Sequence, residues 1–123
     1  MSSRKSNLWN YHLLTAQSMG ASFSSSPFGV TLLDNLYLQM NCVGTPTGTF
    51  AVEVSGDYRK VDGVVQNTGN WVALALPQVP TCAGADIVLG VNVQLSGFPW
   101  VRLTYTRSGG TGTCDIWANG KMI

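Results

Sequence analysis

Charge is what this chain lacks most. Asp, Glu, Lys and Arg make up 11% of its 123 residues, against about 25% in an average soluble domain. Seven basic and six acidic residues leave a formal net charge of +1. A protein that holds nucleic acid electrostatically carries a basic stripe, so nucleic acid is not an expected partner. Catalytic side chains are equally scarce: one His (His12), one Glu (Glu53) and five Asp. His12 has no Gly-x-Ser-x-Gly elbow to serve. Glu53 falls on a polar strand face, where a carboxylate is ordinarily just solvated. Gly109-Gly110-Thr111-Gly112 lacks the Lys and the helix of a phosphate loop. Cys42, Cys82 and Cys114 are too widely spaced for a metal pattern and read as small buried hydrophobes. No catalytic residue, cofactor or metal site is therefore expected. No apolar run approaches the ~18 residues of a membrane span. Asn7, Asn10, His12, Thr15 and Gln17 interrupt anything resembling a signal segment, so the expectation is a chain made and kept in a cytoplasm, or released by lysis.

Apolar residues are abundant, at 45%, which excludes general disorder. A length of 123 residues suits one domain with a real core. Residues 1–29 are Ser-rich and carry scattered large anchors, among them Leu8, Trp9, Tyr11, Phe23 and Phe28. Leu8, Tyr11 and Leu14 sit at a loose helical spacing without caps. The alternative is an extended arm whose rings dock on this domain or a neighbour. On the arm reading, deleting residues 1–29 removes partner binding and leaves the rest folded.

From residue 30 to 123 the signal is alternation with period two, the mark of half-buried strands. Leu36, Leu38, Met40 and Cys42 alternate with polar neighbours, as do Phe50, Val52 and Val54. The breakers between them, Gly44 to Gly48, suggest a hairpin. Further runs cover Val72–Leu76, Ile87–Leu95, Trp100–Thr106 and Thr113–Ala118, with Arg107–Gly112 as a second hairpin loop. Gly56–Asn70 reads as a long connection, with a piece of Val61–Val65 as a further strand. The fold class expected is all-β: one jelly-roll-like β-sandwich over residues 30–123, with an N-terminal arm over 1–29.

Trp71, Trp100 and Trp117 fall at strand starts or on outer faces, and Arg102 points outward between Thr residues. Such rings could stack on a sugar, cap the sandwich, or fill a subunit interface. With Leu8, Trp9, Tyr11, Phe23 and Phe28 they form the set of candidate partner-binding residues.

The stretch from Asp34 to Ser55, opening Asp-Asn-Leu-Tyr-Leu-Gln-Met-Asn-Cys, resembles the opening hairpin of small tailed-bacteriophage virion proteins. Gly69-Asn-Trp-Val-Ala-Leu, Ala83–Asp86 and Phe98-Pro-Trp-Val-Arg-Leu-Thr-Tyr-Thr-Arg-Ser-Gly-Gly-Thr-Gly-Thr continue the likeness over roughly residues 34–120. The Trp-Val-Arg-Leu-x-Tyr strand is also similar to one in discoidin-like sugar-binding jelly rolls. The first resemblance implies a non-enzymatic virion component, a capsid decoration, cement or head-fibre subunit. It implies partners among the major capsid protein or other virion subunits, a homo-oligomer, and assembly in a bacterial host cytoplasm. The second leaves a carbohydrate-binding, host-recognition module as the alternative.

Overall fold

The computed structural model describes residues 8–122. Every regular element among them is a β-strand, in two main antiparallel sheets. One sheet holds β1 (Leu8–Ser18), β12 (Gly112–Lys121), β4 (Leu36–Gly44) and β10 (Ile87–Val93), in that order. The other is built on β11 (Trp100–Gly109) and β5 (Thr47–Ser55). Short strands flank that pair: β2 (Phe23–Ser24) and β3 (Phe28–Gly29) on β11, β8 (Val72–Ala73) and β9 (Thr81–Ala83) on β5. A separate hairpin, β6 (Arg59–Val61) and β7 (Val64–Asn67), stands apart from both.

The alternation seen in the sequence is what fills the core. Leu36, Leu38, Met40 and Cys42 of β4 are buried, as are Phe50 and Val52 of β5. Val101, Leu103 and Tyr105 of β11 and Cys114, Ile116 and Ala118 of β12 complete the layer. Each fully buried Leu, Ile or Met among them stabilises the fold by about 1.5–3 kcal/mol.

The two expected hairpins are not hairpins. β4 and β5 belong to different sheets, and so do β11 and β12. Both pairs are halves of one long antiparallel ribbon folded over at its middle. Its register runs from Trp100↔Ser55 to Gly109↔Thr47, then resumes at Gly112↔Gly44 and continues to Asn119↔Tyr37. At the bend, Thr45 N donates to Thr111 O at 2.8 Å, and Arg107 Nε donates to Gly110 O at 2.9 Å. Strands that switch sheets through such bends close the corners of a sandwich. Alternation could not reveal this, because it assigns a face to each residue but not a partner to each strand.

The described part of the expected arm is built into the sandwich rather than extended from it. β1 pairs with β12 from Leu8↔Lys121 to Ser18↔Thr113. Met19, Phe28 and Val30 are buried, and Ser25 exchanges hydrogen bonds with Leu103: N to O at 2.8 Å, and Leu103 N to Ser25 Oγ at 2.9 Å. Removing residues 1–29 would therefore strip a strand from one sheet and an edge from the other. The strand escapes a period-two search because its register breaks between His12 and Leu14 and again between Leu14 and Gln17. Extra residues at a bulge shift the phase of the pattern. Residues 1–7 of the expected arm lie outside the described chain.

The run Val72–Leu76 also differs: only Val72–Ala73 is strand, and Leu74 and Leu76 pack half-buried against the core. The cysteines are buried and free, with Cys42 Sγ 3.3 Å from Cys114 Sγ across the β4–β12 ladder. The Cys114 hydrogen bond and burial together raise the Cys42 thiol far above its ordinary value. Burial pushes Cys82 up to about 12. Thiols held protonated in this way pack as hydrophobes and are poor nucleophiles.

Candidate protein-binding surface

Trp71, Trp100 and Arg102 come together on the outer face of the β11–β5 sheet. Arg102 and Glu53 lie directly opposite in the β11–β5 register, both pointing away from the core. Arg102 Nε donates to Glu53 Oε1 at 2.7 Å, and its guanidinium carbon stands 4.5 Å from the centre of the Trp71 ring. Trp71 Nε1 donates to Thr68 O at 3.1 Å. Tyr58 is buried between the two indoles, edge-on to Trp100 at 4.8 Å and 5.7 Å from Trp71. An aromatic pair contributes about 0.5–1.5 kcal/mol beyond its burial, and a partly exposed cation–π contact or ion pair about 1 kcal/mol at most. No single contact dominates. Together they clamp the base of the Gly56–Asn70 excursion to the sheet.

Asp57 closes that base. Its carboxylate accepts Asn70 N and Asn70 Nδ2, both at 2.7 Å, and the Ser55 hydroxyl at 2.8 Å. Ser55 Oγ in turn accepts Tyr58 N at 3.0 Å. The Asn70 backbone donor, then its side chain, then Ser55 hold the Asp57 carboxyl below the usual carboxylate range. Because the native value lies below the unfolded one, the contribution is complete above the unfolded value and is lost as pH falls through the native one. The Asn70 amide is thus expected to stay tied to Asp57 to a lower pH than an ordinary Asp would allow. An amide-shift titration of Asn70 checks this; a midpoint at the ordinary Asp value of about 3.9 would contradict it.

Beyond this clamped base the β6–β7 hairpin is exposed throughout. It turns at Asp62-Gly63, both at positive φ (51° and 79°), the backbone of a tight two-residue hairpin turn. Val61, Val64 and Val65 present 40%, 58% and 46% of their surface to solvent. The strand piece expected at Val61–Val65 is thus a two-stranded hairpin, for which Asp-Gly between valines is the signal.

The remaining candidates are dispersed. Trp9 stacks on Phe28 at 6.1 Å and on Tyr11 at 5.7 Å, beside the exposed Leu8. Phe28 is 7% exposed, and Phe23 packs on Tyr105 at 5.3 Å, so both serve the core rather than a partner. Trp117 lies on the outer face of the other sheet, stacked on His12 with ring centres 3.9 Å apart. His12 Nε2 also sits 3.4 Å from Asp115 Oδ1, which accepts Ala16 N at the bulge. Among the described residues no three His, Cys, Asp or Glu side chains stand close enough to hold a metal ion.

No protein-family model matches this chain, and no curated protein matches it in sequence. Among solved structures, that of infectious bursal disease virus, Gx strain, is similar with a TM-score of 0.48 at 9% identity. The match covers 91% of this chain and 30% of that one, so this chain spans under a third of that protein's length. A likeness of that size does not bear on function.

Proposed function

We propose that this chain is a non-enzymatic structural subunit of a virion that binds other virion subunits, as a decoration or cement component of the capsid surface. The observation that carries the reading is the β6–β7 hairpin: an exposed element that presents Val61, Val64 and Val65 beside Arg59, Lys60 and Asp62, held at its base by Tyr58, Trp71, Trp100, Arg102 and Asp57. A pinned hairpin loses little entropy on docking, and its valines have no evident use within the domain. Low charge suits a contact that must persist whatever the ionic strength. The resemblance of residues 34–120 to small phage virion proteins points the same way. The sugar-binding alternative is less favoured because the candidate rings cover one another: Arg102 lies over Trp71, Tyr58 meets Trp100, and His12 stacks on Trp117.

The test is sedimentation of the full chain with purified capsid shells at low and high salt. Binding at fixed stoichiometry, changed less than about threefold between 50 mM and 500 mM salt, is expected of apolar and hydrogen-bonded contacts. A chain that ignores shells overturns the reading, and retention on a glycan array would then support the alternative.

A further inference from the structure

Edge strands are a liability that folded proteins guard with bulges, charge, proline or shortness. Three of the four edges of the two main sheets are guarded. β1 carries two register breaks and a left-handed Ala16 (φ 46°). β2, β3 and β8 have two residues each, and β9 has three. The fourth edge, β10, is different. Its sequence Ile-Val-Leu-Gly-Val-Asn-Val contains no charge and no proline, and it pairs with β4 over all seven residues without a register break. Its other side has no strand partner among the described residues.

We propose that β10 pairs antiparallel with β10 of a second copy about a twofold axis at Gly90, joining the two four-stranded sheets into one of eight. The strand's own pattern selects this partner. A twofold centred on a residue sets inward side chains opposite inward ones, whereas a centre between residues would mix the faces. At Gly90 the overlap is complete: Ile87 meets Val93 of the other copy, Leu89 meets Val91, and Val88 meets Asn92. Ile87 and Leu89 are only half-buried in one copy, so pairing extends the apolar layer over them. Gly90 also admits what a larger residue would exclude. The Tyr37 hydroxyl occupies the place a Cβ at Gly90 would take, so the ring lies across the strand at the axis. The occupant of this edge is independent of the hairpin's partner, since the two surfaces lie on different sheets.

The test uses the full chain and a charge exchange across the predicted register. Val88 and Asn92 are both exposed, so their substitution leaves the core intact. In V88K/N92K, two like-charged pairs face each other across the axis. In V88K/N92E, each new cation faces a new anion. Light scattering over a concentration series is expected to show a dimer for the wild type, a dimer weakened about tenfold or more for V88K/N92K, and recovery for V88K/N92E. Thermal unfolding identifies any variant that fails to fold. A monomeric wild type at all concentrations, or a V88K/N92K chain that dimerises as before, overturns the proposal. A V88K/N92E chain no better than V88K/N92K overturns the Gly90 register. None of these outcomes depends on whether capsid shells are bound.

Discussion

Gly110→Ala is expected to lower the unfolding free energy by roughly 3 kcal/mol or more, a large share of the 5–15 kcal/mol typical of a domain. Two costs combine. Gly110 has a φ of 71°, a left-handed conformation that costs an L-residue about 1–2 kcal/mol. A Cβ there would also fall on the Thr45 carbonyl oxygen, backbone of the facing segment at the ribbon's bend. Relief would require the two crossing segments to separate, breaking the Thr45 N to Thr111 O bond of 2.8 Å. Gly97→Ala supplies the control: its φ is 91°, but nothing lies within 4 Å of the added carbon. Urea denaturation should show the Gly97 variant paying the conformational cost alone. Equal losses at the two positions would mean that close packing at the corner is not what holds the ribbon folded.

The second large effect is on binding rather than folding. V61K/V64K/V65K is expected to weaken association with capsid shells by about 100-fold or more while leaving the melting temperature unchanged. The three valines are 40–58% exposed, so the folded chain alone loses little when they become polar. Docked against a partner, each would bury apolar surface worth about 1 kcal/mol, and three such losses plus desolvated charge exceed the 2.7 kcal/mol that 100-fold requires. Val43→Lys, 57% exposed on the other sheet, should bind as the wild type does. Wild-type binding by the triple variant would remove the hairpin from the interface.

What the sequence disclosed and what it hid divide along a physical line. Faces were legible: the residues alternating inward in β4, β5, β11 and β12 are the buried ones, because a pleated strand has period two whatever it pairs with. Partners were not. The Gly44–Gly48 breakers look alike whether the chain returns beside itself or crosses to the facing sheet, and here it crosses. β1 was hidden for another reason: its bulges shift Leu14 relative to Tyr11, so the spacing imitates a helix. At the candidate surface, Trp71, Trp100 and Arg102 were identifiable as outward-facing. That they would be spent on one another and on Tyr58 depends on where the Gly56–Asn70 excursion folds back, which no local pattern encodes. The valine hairpin left its mark in Asp62-Gly63, but β6 and β7 have only three and four residues, too few for alternation to register.

The β6–β7 hairpin, with its three exposed valines, is on this proposal the part of the protein that meets its partner. Amide hydrogen exchange of the full chain, free and bound to purified capsid shells, tests it most directly. Protection gained across Arg59–Asn67, with the β12 amides around Trp117 unchanged, is the predicted result. Binding that leaves the Arg59–Asn67 amides exchanging as in the free protein would exclude the hairpin as the contact.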